Sequence, residues 1–506
     1  MKKRILLRVV SLLAVVTLCL SASACGARRS KYGEAFRFPL SAEPRQLDPQ
    51  VAADAASVEV LHAVMEGLTR LSEEGEVLPG VATSWTLSDK NTTATFTLRD
   101  SAWSDGTPLT AEDFVFAWER GASKETRSPF ADRFANIKTV VATDPHTLTV
   151  TLKTADEAFA RTVADSAFYP CQQAFFEKSG GHYGMEQEYV LGNGPFVLSS
   201  WSHGEYLILR KNSHYYAKEE ILPDQVRYVV NTGETDTLAL LRTGGLDAAE
   251  LTAAEAEELR DGKTAVTTVY DGLFALWMNT ACDDLKKPSV RRALCHAVDT
   301  EKNAALCEKA GERAAVGFVP PDTRLNGAAY VKEADSLGAF AEGKRPSREM
   351  AQLTLLCGED ALSLDLAREI LQAWQKQFSL YFKLESLPAE ELASRVEDGD
   401  YDLALYAAVS VGGEVPQVLS AYKTGAAGNV AELSDKTFDS LLEKATDETS
   451  LRKAEAQLYT ACPCLPLYYP ARTFAFGKGV EGVTVHPFGG GAFGAVYEFR
   501  TATKND

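Results

Sequence analysis

The side chains best able to do chemistry are few, and their spacing argues against most enzyme classes. Gly489-Gly490-Gly491-Ala492-Phe493-Gly494 carries the letters of a dinucleotide fingerprint. That motif works only where a strand runs into a helix whose amino end holds the pyrophosphate. Here Ala495-Val496-Tyr497-Glu498-Phe499 follows, a strand pattern, so the glycines read as a flexible turn. Gly338 to Lys344 has the spacing of a phosphate loop, but Arg345 stands where a magnesium-binding Ser or Thr is needed. None of the seven histidines, His62, His146, His182, His203, His214, His296 and His486, lies in an H-E-x-x-H helix, and no G-x-S-x-G elbow is present. Cys462-Pro-Cys464 could be a metal or redox pair, yet no second pair or His lies at ligand spacing, so buried thiols are expected. Glu255, Glu257 and Glu258 read as a solvated face rather than an acid/base set. No cofactor, metal or catalytic residue is expected, which points towards a binding protein.

The chain of 506 residues has room for about three domains. With 52 Lys+Arg against 70 Asp+Glu its formal charge is -18, and its 45% hydrophobic fraction is that of ordinary globular protein. A nucleic-acid surface needs a basic excess or stripe, and neither is present. The start is different in kind. Lys2, Lys3, Arg4 and Arg8 precede an apolar stretch from Val9 to Leu20, and Ser21-Ala22-Ser23-Ala24 leads to Cys25. This is the layout of a signal peptide over 1–24, too short in its apolar part for a permanent span. A Cys after small residues resembles a bacterial lipobox, with Ala22 in place of the usual Leu, so Cys25 is the expected lipidation site. A plain signal peptide with a passive Cys25 is the alternative. Residues 25–34 would be the tether, and removing the leader's four basic residues leaves a charge of -22. Seven cysteines then remain, an odd number that implies no disulfide framework.

The elements that must position any site alternate between periods. Thr93–Leu98 and Thr147–Leu152 alternate polar with apolar, as half-buried strands do, and Thr110 caps a helix with an apolar face at Phe114, Val115 and Trp118. Leu207–Leu209 and Val226–Val230 read as strands, followed by a helical run from Thr235 to Arg242. Further on come a strand at Leu353–Leu356, a helix at Leu362–Phe378, a strand at Tyr381–Leu384, a helix at Glu390–Glu397 and a strand at Tyr401–Tyr406. This order predicts an α/β class with helices on the sheet faces.

Several stretches together resemble the family 5 extracellular solute-binding proteins, above all the oligopeptide-binding lipoproteins of ABC importers. They are Leu47-Asp48-Pro49, Met65-Glu66-Gly67-Leu68, Pro79-Gly80-Val81-Ala82, Gly192-Asn193-Gly194-Pro195-Phe196 and Val290-Arg291-Arg292-Ala293-Leu294, with the specific run Trp103-Ser104-Asp105-Gly106-Thr107-Pro108 to Val115. The likeness runs from about Phe36 to Phe499. It implies a type II, clam-shell, three-domain fold resembling periplasmic binding proteins, with a discontinuous domain I at 35–65, 190–276 and 479–506. Domain II would be the insertion 66–189 and domain III 277–478, with crossings near Trp277 and Lys478. It also implies an exported monomer, lipid-anchored at the cell membrane, that passes peptides to a membrane permease without catalysis. A non-peptide ligand (nickel chelate, haem, opine or oligosaccharide) is the alternative within binding; a secreted hydrolase or envelope interaction module is the alternative outside it.

The resemblance further implies site residues. Ala53, Asp54 and Ala55 fall where a domain I strand pairs with the peptide main chain, Phe130 stands where the relatives have Tyr, and Glu250 is a polar contact. Tyr406, Ser410, Gly412 and Glu414 are expected on the domain III side. Gly412 occupies the place of an Asp that pairs with a peptide's amino group, and Val409 that of an aromatic. An amine enclosed with no carboxylate would cost several kcal/mol. Either Glu414 supplies that carboxylate or the ligand has no free amino end; for Glu414 a solvated loop acid, and for Phe130 plain packing, are the competing readings.

Overall fold

The computed structural model describes residues 35–504 apart from 73–75, 232–235, 260–263, 326, 333–334, 348–352, 411–412, 427 and 488–495. Cys25, Gly412 and the glycine run at 489–494 lie outside the described residues. Strand Phe36–Leu40 opens a four-stranded sheet and is followed across it by Gln225–Val230, Tyr206–Lys211 and Phe196–Ser202. The first pair is parallel and the others antiparallel. Phe36, Phe38 and Leu40 are buried at alternate positions, the period of a strand with one face on a core.

A second four-stranded sheet, antiparallel throughout, is inserted into this body: Ala82–Ser88, Thr93–Leu98, Thr147–Leu152 and Ile137–Asp144 in spatial order. The two strands read from their alternation have the expected bounds and pair with each other, Thr95 opposite Thr149. Helix Ala111–Ala122 covers this sheet. Its first turn is closed by the Asp113 carboxylate, which accepts from the Thr110 N–H at 2.8 Å, and it buries Phe114 and Trp118. The preceding Trp103–Pro108 run is a turn that leads into it. Gly106 has φ +86, and Asp105 Oδ1 accepts from the Thr107 N–H at 2.9 Å and its hydroxyl at 2.6 Å.

The third sheet has six strands in the order Arg313–Ala314, Cys464–Tyr469, Gly272–Met278, Leu403–Val409, Thr354–Gly358, Lys383–Leu387. Helix Ala361–Phe378 is N-capped by Asp360 and buries Leu366, Ile370, Trp374 and Phe378, a stripe at four-residue spacing. The strand expected at Tyr381–Leu384 starts later, at Lys383, and Tyr381 before it is 67% exposed, its hydroxyl accepting from the Gln375 amide at 3.2 Å. A three-stranded sheet of Ala248–Leu251, Arg472–Phe476 and Ala265–Val269 lies between the main bodies in sequence. The helical run ahead of it is observed as Thr237–Thr243, capped by Asp236; Thr235 is outside the described residues.

The buried apolar residues fall into separate cores. One continuous core joins the first sheet to the inserted sheet, from Phe36 through Phe96, Trp118 and Phe168 to Phe499. The six-stranded sheet has a core of its own, from Leu273 to Tyr469. The chain passes between the three-stranded and six-stranded sheets twice, at Tyr270–Asp271 and at Pro470–Ala471. The crossings expected near Trp277 and Lys478 fall a few residues past these two passages. Trp277 lies inside the six-stranded sheet opposite Ala404 and Cys464, in a strand buried at every residue, and Lys478 follows a strand of the three-stranded sheet. A run buried on both faces has no alternation from which to read which sheet it joins.

Both crossings are fastened by side chains. Asp322 Oδ2 accepts from the Tyr270 N–H at 2.5 Å and Glu312 Oε2 from the Ala471 N–H at 2.7 Å. Burial raises the pKa of both carboxyls. Arg472 donates to both oxygens of Glu250, at 2.8 and 3.0 Å, and to Asp271 Oδ2 at 2.8 Å. The seven cysteines of the body are all free. Cys462 and Cys464 are buried, as read, and the Cys462 sulfur lies 3.4 Å from that of Cys295. Among the described residues no helix is long and apolar enough to cross a membrane, and no cluster of His, Cys, Asp or Glu could hold a metal ion.

Candidate functional site

Helix Ala55–Val64 starts on the Asp54 cap and ends at Met65, delivering His62 and Glu66 to one place. What fixes that end is the Gly192-Asn193-Gly194 loop. Asn193 Oδ1 accepts from the Glu66 N–H at 3.1 Å, its amide donates to the Glu66 carbonyl at 2.8 Å, and the Gly194 N–H donates to Val64 O at 3.0 Å. A Cβ at Gly192 would stand 2.1 Å from Val64 O, and one at Gly194 2.6 Å from Met65 N. The loop therefore approaches the backbone more closely than any side chain permits.

Glu66 so placed lines a cavity of about 280 Å³. Its walls come from parts of the chain far apart in sequence. Besides the 62–67 segment they include Arg70, Arg133, Arg161, Asp165, Phe168 and Tyr169 of the insertion, and Val496–Arg500 with His486 of the carboxy-terminal segment. Gln417 and Ser420, on helix Val415–Ser420, complete it. The cavity thus stands where all three bodies meet.

Its electrostatics are dense. Glu66 is 2% exposed, and its Oε1 accepts from the Tyr215 hydroxyl at 2.8 Å and from Arg500 at 3.2 Å. Arg500 also lies 3.6 Å from Glu498. Arg133 pairs with Asp165. Arg161 reaches across to Glu414 at 3.1 Å, with side chains 12% and 10% exposed. Burial lowers the Arg161 pKa, and the Glu414 charge opposes that shift. Burial, helped by the neighbouring His486, pushes the His62 pKa down to about 4, so its ring is neutral at pH 7. The His62 Nδ1 and Tyr169 hydroxyl are 3.2 Å apart, and burial raises the Tyr169 pKa. The aromatic walls and fixed charges are suited to holding a polar solute.

The residues expected on the ligand are placed as follows. Asp54 caps the helix that begins at Ala55, its carboxylate engaged by the Ser57 N–H and hydroxyl; Ala53 and Ala55 are exposed. Phe130 is buried in the shared core with the Arg133 guanidinium 4.4 Å above its ring. Glu250 is held by Arg472 at the crossing. The Tyr406 hydroxyl donates to Glu397 at 3.2 Å, and the buried Ser410 donates its N–H to Asp271 O. Glu414 is buried rather than solvated and heads the helix Val415–Ser420. None of these described residues lines the cavity; Glu414 reaches it through Arg161. Sequence reading passed over His62, Arg70, Arg161, Tyr497 and Arg500. Glu66 did carry a signal, inside Met65-Glu66-Gly67-Leu68, but as likeness rather than as a site.

Comparison with known proteins agrees with this architecture. The model for bacterial extracellular solute-binding proteins, family 5 (middle) matches residues 76–429. The dipeptide-binding protein DppE of Bacillus subtilis is 26% identical, covering 88% of this chain and 89% of its own. The periplasmic murein peptide-binding protein MppA of Escherichia coli is 28% identical over 84% and 86%. In fold, the structure of the pheromone receptor PrgZ superposes with a TM-score of 0.75 at 24% identity, covering 93% of this chain and 99% of that one. Listeria monocytogenes OppA bound to peptide gives 0.73 at 22% identity over 93% and 99%. The family is one of binding proteins, and its model spans well over half of the sequence: this chain belongs to the bacterial extracellular solute-binding proteins of family 5.

Proposed function

We propose that the chain captures peptides as the solute-binding component of an ABC importer and delivers them to a membrane permease. The observation that carries this reading is the cavity shared by three bodies of which two have a common core and the third its own. Such a division favours closure of one lobe on the other about the two crossings, with a solute enclosed between. The relatives named for dipeptide and murein peptide binding support the solute class. In this reading domain I comprises 35–65, 190–270 and 471–506, domain II 66–189 and domain III 271–470. The leader 1–24 is removed, Cys25 is acylated, and the mature chain works as an anchored monomer outside the cell membrane.

The test is recovery of the natural ligand. Native mass spectrometry of protein purified without denaturation should show adducts with peptide masses, lost on partial unfolding and dialysis. A single non-peptide adduct would replace peptides by another solute, and failure of any peptide pool to raise the melting temperature would refute the peptide reading. Mass analysis of the membrane-associated protein should give a mature chain beginning at Cys25 with acyl chains.

A further inference from the structure

Four guanidinium groups line the cavity, and three of them are matched. Arg133 has Asp165, Arg161 has Glu414, and Arg500 has Glu66 and Glu498. Arg70, on the short strand Thr69–Leu71 of the insertion, pairs with no carboxylate among the described residues, and its Nε is buried without a hydrogen-bond partner. Glu66 Oε2 and the Tyr497 hydroxyl oxygen, in the same cavity wall, are also buried without one.

An arginine cannot escape such a position by giving up its proton, as a lysine or histidine does. A guanidinium in a largely enclosed site is stabilised only by an acceptor brought to it, and a planar carboxylate fits its fork with two parallel bonds. The surrounding carboxylates of Glu66 and Glu498 disfavour a dianion such as phosphate. They favour a ligand that offers N–H donors beside a single negative charge, with Glu66 Oε2 ready to accept one of them.

We propose that Arg70 is a specificity-determining residue that anchors a carboxylate of the bound solute against the insertion wall of the cavity. The inference rests on the reading of this cavity as the solute site. A carboxylate can come from a peptide's carboxy terminus or from an acidic side chain, and the experiment separates the two. The mature protein is titrated calorimetrically with three probes: trialanine, trialanine amide, and Ala-Glu-Ala amide. Trialanine should bind about tenfold tighter than its amide if the terminus is the anchor, and Ala-Glu-Ala amide should do so if the side chain is. Arg70→Gln should erase that margin, and Arg70→Lys should restore part of it.

Equal affinity of the wild type for all three probes overturns the proposal, and so does a margin that survives in Arg70→Gln. The wild-type series needs no variant, so a poorly folding Arg70→Gln does not rescue the idea. Binding of none of the three by the wild type overturns the peptide reading itself and this inference with it, whereas binding without discrimination overturns only the role of Arg70.

Discussion

At the scale of single residues, Glu414 changes meaning between sequence and structure. Its position invites the role of amine anchor, but its carboxylate is engaged by Arg161 of the insertion, 3.1 Å away and nearly out of solvent. Its charge is thereby matched before any ligand arrives. Arg161→Gln and Glu414→Gln should each lower stability, and a double-mutant cycle should give a coupling of about 1–3 kcal/mol. Peptides with free and with acetylated amino ends should lose affinity by the same factor in either variant. A loss confined to free-amine peptides would return Glu414 to the anchor role. His62 makes a separate prediction. Its folded pKa of about 4 lies below the 6.5 of the exposed ring, so the unfolded chain takes up a proton first as pH falls. Stability contributed by the neutral ring is therefore lost between about pH 6.5 and 4. Denaturant melts at pH 7 and pH 5 should show a drop that His62→Gln reduces by at most about 2 kcal/mol; an identical drop in the variant would contradict the assignment.

Among the elements, legibility followed periodicity. Thr93–Leu98 and Thr147–Leu152 bury one face each, so alternation gave their bounds, and the Thr110 and Asp360 ends of two helices were marked by capping chemistry or the onset of an apolar stripe. Gly272–Met278 buries both faces, so no alternation in its sequence marks which sheet it joins. The cavity was illegible for a different reason: Glu66, Arg161 and Arg500 meet only after the chain has folded, and no local pattern marks a charge whose partner is hundreds of residues away. The Gly192–Pro195 loop was read as family likeness, and its work is to fix the backbone that carries Glu66. Asn193 is 3% exposed and bonds both polar groups of the Glu66 backbone. Asn193→Ala leaves those groups without partners and should cost about 2–4 kcal/mol in chemical unfolding. Its solute affinity should fall as well, because Glu66 is no longer fixed. A variant with wild-type stability and affinity would show that the loop does not position the site.

For the whole molecule the question is what sets the balance between open and closed lobes. In the proposed clam-shell reading the two short crossings between the cores act as the hinge, and Asp322 and Glu312 hold the crossing amides from the side of the six-stranded sheet. Arg472 is the tie between the two sides, since Glu250 belongs to the three-stranded sheet and Asp271 to a crossing, where it is 2% exposed. Removing that guanidinium separates Glu250 from Asp271 and leaves an acid in the hinge with less compensation, an arrangement that opposes any fixed geometry there. Arg472→Gln should therefore lower the unfolding temperature and broaden the distribution of lobe separations. Spin labels on exposed residues Thr83 and Glu359, one in the insertion and one in the third lobe, would read that distribution by pulsed distance measurement. In the wild type a saturating peptide pool should draw it to a single short distance; in Arg472→Gln the same pool should leave a residual open population and bind more weakly. If the variant closes as fully as the wild type, the triad only fastens the three-stranded sheet, and the lobe equilibrium is set instead at the Arg161–Glu414 contact.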